Sequence, residues 1–499
     1  MAVFNPTAHL YHALVDIGRY VDSSNYFGGA LCMLSATSCS SAADSLYIYS
    51  NGIRFSVTDL NIPTSRILPV VYQDRSAISL YDAQNDANGN KIPIPPTVIE
   101  QVIAALLRFK NTCRNFGVLD KNIKIVATEA TRNATNRDDL LQQTQKTTGW
   151  TVDLLSKELE GRLGAMGIAS SMEYVGGICI DMGGGSLQLT HVVTCPDGGI
   201  FPSPSVSYPY GAAALMKDMA ELNDEEVMDL LSTITTDLKE TMQVYLRDEQ
   251  IQKATEDAGG FKLYLSGGGF RGWGHFLMSQ KIGTLRHYPI PIVNGYTVDS
   301  ATFFSNTFHY GTTIKSTSHR ISHRRSSQIP AVQLVVEALS RTGIRISQVT
   351  FAQGGVREGL LYYGLPSSVR ALAPVQSATI TFAPPSAADF HDLLRSALPQ
   401  DLINQGLILA VVNLLYAHEV ASKDVRAVSA LRCTTTGILA SAHGLSHHGK
   451  APFRVFLHSL VFLKTNLSSG IMGSYPKISR HVLSLNYSFK RSFADSEIC

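Results

Sequence analysis

Two runs rich in β-branched and apolar residues, Ile123-Lys124-Ile125-Val126-Ala127 and Gly177-Ile178-Cys179-Ile180, each end in a polar or glycine-rich turn and predict buried strands. Between strands the period changes. After Pro95-Pro96-Thr97, apolar residues recur at 98, 99, 102, 103, 106 and 107, the spacing of an amphipathic helix, and Asp138 to Gln145 predicts a second helix. Beyond Asp181 the pattern gives a strand (Ser186 to Val193), a Pro/Ser-rich loop (202–209), a helical block from Ala212 to Lys253 and a strand from Phe261 to Leu265. Gln328 to Gly343 reads as a helix, Ile346 to Phe351 as a last strand, and 370–499 as mostly helical. This alternation indicates an α/β core. No internal repeat is visible.

Composition narrows the class. A chain of 499 residues exceeds one hydrophobic core, so two or three domains are expected, and 44% hydrophobic with 16% charged residues suits globular packing. The net charge of +2 provides no global attraction to nucleic acid or a membrane surface. The seven cysteines are scattered, with no Cys/His cluster at metal-ligand spacing, as for reduced thiols inside a cell. MAVFNPTAHLYH lacks the cationic start and apolar block of a signal peptide, and the longest apolar run, Gly406 to Tyr416, is too short for a bilayer, so a cytoplasmic protein is expected. The basic stretch SHRISHRRSS (318–327) reads as a solvated loop, with an anion-binding patch as the alternative.

The chemistry concentrates in glycine loops. In CIDMGGGSLQLT (179–190) a buried strand delivers Asp181, and Gly183, Gly184, Gly185 and Ser186 then form a turn whose amides can converge on an anion, because glycine permits close approach and positive φ. A plain hairpin turn is the alternative. Ser266, Gly267, Gly268 and Gly269, in YLSGGGFRGWG, follow another strand and are expected to repeat the arrangement. Two such loops suggest a cleft gripping a polyphosphate or nucleotide from both sides.

DMGGGS (181–186), SGGG (266–269), ATEATRNATN (127–136) and GGVREGLLYYG (354–364), in that order, resemble the exopolyphosphatase/guanosine-pentaphosphate phosphohydrolase (Ppx/GppA) family, with the match running from about Leu14 to Gly364. Within it the chain is most similar to the eukaryotic retrograde-regulation branch, which signals mitochondrial state to the nucleus. The resemblance implies the α/β fold shared with actin, Hsp70 and sugar kinases: two ribonuclease-H-like domains, at 1–175 and 176–368, followed by a mainly helical C-terminal region at 369–499. The basic, aromatic tail after Lys450 has poor helical periodicity and is a candidate gene-model error.

ALVDIG (13–18) begins like the family's first phosphate loop, and joining Gly18 to Ser50 restores a strand, turn and strand with Ile53, Phe55 and Val57 alternating. Residues 19–49 therefore interrupt that loop. Arg19-Tyr20-Val21 can be encoded with a GTACGT donor and Tyr49-Ser50 with a CAG acceptor, so the segment reads as translated intron; a surface insertion is the alternative.

The resemblance implies roles residue by residue. Gly18, Ser50 and Asn51 would form the first phosphate loop, and Gly183 to Ser186 with Ser266 to Gly269 the others. Glu160, beside Glu158 in LLSKELEGRLGAM, would be the base that activates water, and Asp16 and Asp181 would hold Mg²⁺ or its water shell, where strand-end aspartates otherwise cap turns. Arg132 would grip a phosphate or cap a helix on the surface. The family's DxGGGSxE continues here with Gln188, and an amide supplies neither anionic charge nor a base. His443, His447 and His448 lack accompanying acids and read as a polar loop rather than a metal site. The expectation is a phosphate- or nucleotide-binding regulator with weak or no hydrolysis, acting through protein partners, with homodimerisation open and neither membrane nor direct nucleic-acid binding. The rivals are an active Mg²⁺-dependent exopolyphosphatase or guanosine-pentaphosphate phosphatase and, more remotely, an ATPase of the kinase/Hsp70 type.

Overall fold

The computed structural model describes residues 11–18, 52–86, 90–280, 292–305, 327–385, 387–397, 405–419, 421–433 and 436–446. Ser50, Asn51, the 19–49 segment, residues 318–326, His447, His448 and the tail after 450 lie outside the described residues.

The first sheet contains β1 (Tyr11–Gly18), β2 (Gly52–Asp59), β3 (Val70–Ser76), β4 (Ile123–Ala127) and β5 (Asp153–Leu154), in the order β3-β2-β1-β4-β5. β1, β2 and β3 run antiparallel, whereas β4 lies parallel to β1 and β5 parallel to β4. One face is covered by α1 (Pro96–Asn115), which has proline in its first turn and buries Ile99, Val102, Leu106 and Phe109, the last with its ring 5.0 Å from that of Phe55. α2 (Glu129–Arg132) and α3 (Arg137–Thr148) follow β4, and α3 stops at Gly149, whose φ of 74° is the left-handed conformation of a helix C-terminus. α4 (Lys157–Ser170) then leads out of this lobe.

The second sheet is built from β6 (Gly176–Met182), β7 (Leu187–Thr194), β8 (Ile200–Pro202), β9 (Val206–Tyr208), β10 (Phe261–Ser266), β11 (Tyr296–Asp299) and β12 (Ile346–Phe351). Its order, β11-β12-β10-β6-β7-β8 with β9 also on β7, contains β8-β7-β6-β10-β12, which reproduces the first sheet strand for strand: a hairpin, a third antiparallel strand, then two parallel strands. β11 is added antiparallel at the edge. The two ribonuclease-H-like lobes are thus a repeat in three dimensions. It escapes the sequence because the lobes share strand positions rather than residues.

Helices α5 (Ala212–Glu221), α6 (Asp224–Tyr245), α7 (Glu249–Asp257), α8 (Gly268–Gln280), α9 (Ser300–Ser305) and α10 (Ile329–Arg341) belong to the second lobe. The single helical block expected from 212 to 253 is three helices. Asn223 and Glu226 form a capping box that starts α6, and the Asp248 carboxylate accepts from the amides of Gln250 and Ile251 to start α7. Trp273, Phe270 and Phe351 are fully buried in this lobe's core.

After β12, α11 (Val356–Tyr363) packs along α4 so closely that a side-chain carbon on Gly167 would fall on the backbone of Gly355, and one on Gly359 on the carbonyl of Leu163. Short helices α12 (Ser367–Arg370) and α13 (Pro374–Thr379), then α14 (Ala387–Ala397), α15 (Gln405–Glu419) and α16 (Lys423–Arg432), make up the helical C-terminal region. Its core of Ile408, Val411 and Leu414 also takes in Ile67 from the first lobe. The neighbouring Arg66 is wholly buried and donates to the carbonyls of Ser170 (2.9 Å), Met172 (2.7 Å) and Leu372 (3.1 Å), joining first lobe, α4 and C-terminal region at one point. The described cysteines Cys113, Cys179, Cys195 and Cys433 are free, and among the described residues no helix is long and apolar enough to cross a membrane.

Candidate functional site

Alternation along β1 buries Val15 and Ile17 in the first lobe and turns Asp16 the other way; its cross-strand partner on β2 is Arg54, on the same face. Across the hairpin of the second lobe, Asp181 pairs in register with Gln188. These faces meet over a cavity of about 130 Å³. Its first-lobe wall is Asp16, Arg54, Thr128 and Glu129; α4 contributes Glu160, and the second lobe contributes 181–186, Gln188, 266–268, Arg271 and 353–358.

The two glycine loops line this one cavity by different means. The first is a true hairpin turn, closed by the Gly183 amide donating to the Ser186 carbonyl (2.9 Å), while the carbonyls of Gly183 and Gly184 accept from the amides of Ala212 and Ala213 at the start of α5. With those carbonyls occupied, the amides that follow Gly183 are the groups left for an anion. None of Gly183, Gly184 and Gly185 has positive φ, contrary to expectation. The close approach here is made by Gly211, where a side-chain carbon would collide with the backbone of Gly185. The second loop does not repeat the first, since β10 runs directly into the N-terminus of α8, where the positive end of the helix dipole faces the cavity. Gly267 makes that turn at φ 96°, and a side chain there would strike the Met182 carbonyl.

Charge is dense and buried. Burial pushes the Asp181 carboxyl up to about 6, with the negative charge of Glu358 adding to the shift. Burial also raises Asp16, against the pull of Arg54 and Arg357, and the Asp16 Oδ1 is buried without a hydrogen-bond partner. Glu160 is raised to about 7 by burial, although Arg132 opposes the shift. Glu358 goes the other way: burial would raise it, but Arg357, His443 and Arg54 together pull it down to about 2. Its carboxylate accepts from Arg357 Nη2 (2.8 Å) and the Gly355 amide (3.0 Å). The Nε and Nη1 of Arg357, a residue only 6% exposed, are buried with no partner. An orphaned acceptor and orphaned donors in one cavity suit an anion that carries a cation.

Of the residues singled out from sequence, Asp16, Glu160, Asp181, Gly183, Gly184, Gly185, Ser186, Gln188, Ser266, Gly267 and Gly268 meet at the cavity. Gly18, Arg132 and Gly269 are outside its lining. Arg132 Nη1 is engaged by Glu160 Oε2 (2.7 Å) and the Leu155 carbonyl (2.6 Å), and Gly269 lies in the first turn of α8 against Val332 and Met182. The Gln188 amide donates to Ser186 Oγ (2.8 Å). Arg54, Arg271, Gln353, Arg357 and Glu358 also line the cavity, beyond the residues the sequence singles out. The available signals were an arginine inside the alternating β2 run and the charged pair within GGVREG.

Two such lobes meeting over glycine loops and acids define the two-lobed α/β cleft class, and the family model of Ppx/GppA phosphatases matches residues 61–368: the chain belongs to this family. The RTG2 C-terminal domain matches residues 373–459. The chain is 36% identical over 425 residues to "Retrograde regulation protein 2" of Saccharomyces cerevisiae, covering 83% of this chain and 71% of that protein. Among solved structures, the Aquifex aeolicus member of the Ppx/GppA family aligns with 18% identity and a TM-score of 0.49, covering 71% of this chain and 97% of the other. An exopolyphosphatase from Cytophaga hutchinsonii aligns with 14% identity and a TM-score of 0.46, covering 72% and 99%.

Proposed function

We propose that the cleft binds a phosphate chain, as polyphosphate or as the phosphates of a nucleotide, that hydrolysis there is weak or absent, and that the protein relays occupancy to protein partners in mitochondria-to-nucleus retrograde signalling. The binding reading is carried by the convergence of loops 183–186 and 266–268 with the unpartnered Arg357 donors on one buried cavity. The signalling reading is supported by likeness along most of the chain to a retrograde regulation protein. A cytoplasmic location and a homodimer, where the chain self-associates, belong to the same reading.

Mg²⁺ fits the donor set. Asp16 Oδ1 lacks a partner, and Asp181 is held near 6 by burial and by Glu358, so a cation would relieve both. Among the described residues no group of three or more His, Cys, Asp or Glu is placed to hold a metal. Asp16 and Asp181 would therefore share the ion with water and ligand phosphates, as is usual for Mg²⁺. Bound there, Mg²⁺ supplies neutralisation of phosphate charge.

The weakness of hydrolysis follows from Gln188. It faces Asp181 across the hairpin with its amide given to Ser186, where a carboxylate would add charge for the cation or for water. The second reading, an active Mg²⁺-dependent exopolyphosphatase or guanosine-pentaphosphate phosphatase, is favoured by one observation: Glu160, at about 7, is matched to general-base work near neutral pH. Calorimetric titration with Mg²⁺–tripolyphosphate and Mg²⁺–ATP, beside a phosphate-release assay, tests both. Binding with release at least about 100-fold below the ~10 s⁻¹ of an ordinary enzyme is expected. Absence of binding would overturn the cleft reading, and ordinary turnover would establish the hydrolase.

A further inference from the structure

The C-terminal region reaches the back of the cleft wall. His443 Nε2 lies 2.7 Å from Ser170 Oγ at the end of α4, and the Ser170 hydroxyl is itself 2.6 Å from the Gly167 carbonyl. A hydroxyl has one proton to give, so Ser170 donates to Gly167 and accepts from His443 Nε2–H. The other ring nitrogen, Nδ1, faces the Gln353 side-chain amide at 3.5 Å, a group that can donate to a neutral ring or accept from a charged one. Gln353 belongs to the 353–358 wall of the cavity.

Two further connections fix the same wall. The wholly buried Asn294 accepts from the Gln353 backbone N–H (3.0 Å) and donates to the carbonyls of Ser171 (2.9 Å) and Leu445 (3.3 Å), so it clasps the C-terminal segment to the wall. On the cleft side Ser266 Oγ, from the second glycine loop, donates to the Gly354 carbonyl (2.9 Å). Residues 443–445 thus sit behind a wall whose front holds Arg357 and Glu358. Gly444, at φ 87°, lets the chain pass between Pro374 and the Ser170 carbonyl.

We infer that His443 is a positioning residue for the phosphate cleft: through Gln353 and Ser170 it fixes the 353–358 wall, so that occupancy of the cleft and docking of residues 443–446 are coupled. The inference rests on the phosphate-binding reading above for its ligand arm. It identifies where the C-terminal region senses the cleft. Coupling is reciprocal, so whatever His443 contributes to ligand affinity, the ligand returns to docking of the segment.

The test uses the full chain with Mg²⁺–tripolyphosphate as probe. His443→Ala is expected to weaken binding about tenfold, about 1.4 kcal/mol, and His443→Gln, which keeps one donor and one acceptor, to stay within about threefold of the parent. In the parent, the probe should slow hydrogen exchange in the peptide spanning 436–446. Without any ligand, His443→Ala should speed exchange in 353–359 and leave β6 and β10 unchanged. Parent and His443→Ala proteins that bind equally, or a 353–359 segment indifferent to the substitution, would overturn the inference. A parent that fails to bind the probe would instead sink the phosphate reading, while exchange in 353–359 still decides the role of His443.

Discussion

Restoring a carboxylate at position 188 tests the chemistry of the cleft most directly. Gln188 is 7% exposed and directly opposite Asp181, so a glutamate there places a second acid with its Cβ about 5 Å from that of Asp181. Were the two carboxylates held at about that separation, their full charges would repel by about 3 kcal/mol at an effective dielectric constant near 20. Asp181 already sits near 6, so the metal-free variant at neutral pH should hold a proton between the two acids and melt lower than its parent. Mg²⁺ reverses the sign, because the added charge then faces a cation. Gln188→Glu should therefore show a larger Mg²⁺-induced rise in Tm than the parent. Phosphate release from polyphosphate should rise at least about tenfold, a barrier change of about 1.4 kcal/mol. Glu160→Gln in the same background should abolish the gain if Glu160 is the group that activates water. Phosphate release is followed colorimetrically and Tm by calorimetry, each with and without Mg²⁺. A variant with no gain in release and the same Mg²⁺ response as the parent would refute the reasoning.

Further outcomes follow from other parts of the molecule. Deleting residues 19–49 leaves Ser50 and Asn51 between Gly18 and Gly52, which pair in register, so the connection shrinks from 33 residues to the two of a tight hairpin; a gain of about 2.5 kcal/mol in loop-closure free energy is expected by urea denaturation, and a protein that no longer folds would show the segment to be structural. Gly267→Ala puts a side chain on the Met182 carbonyl at φ 96°, so a loss of about 3 kcal/mol and of tripolyphosphate binding is expected; unchanged melting and affinity would contradict the turn geometry. Folded Glu160 keeps its proton to about pH 7 whereas an ordinary glutamate releases it near 4.5, so the folded state binds more protons and this group's contribution to stability falls as pH rises through that window. Glu160→Gln should flatten that decline in denaturation curves between pH 5 and 7, and an identical slope would speak against the burial argument.

The sequence was legible where local rules agree with burial. The strands 123–127 and 346–351, the stripe of α1 and the two glycine loops follow from periodicity and turn chemistry, and the loops do line one cavity. What stayed hidden depends on partners distant in the chain. Arg54 and Arg357 look like surface cations until two sheets bury them, and Asn223 and Asp248 break the 212–253 helix by capping geometry rather than by a change of period. His443 looks like part of a polar loop in the sequence because its partners, Ser170 and Gln353, are 273 and 90 residues away.

The glycine contact between α4 and α11 bears on how firmly the two acids of the cleft are placed. Helices that mesh through side-chain ridges are held apart by the thickness of those ridges. At Gly167 and Gly359 the ridges are missing, so backbone meets backbone, while Leu163, Val356, Leu360 and Leu361 pack beside the contact. The contact works as a weld. Glu160 sits near the start of one helix and Glu358 near the start of the other, so a single joint sets the placing of both acids. By the same token, a side chain installed at Gly167 or Gly359 acts as a wedge, offering a way to displace the two acids together without touching either.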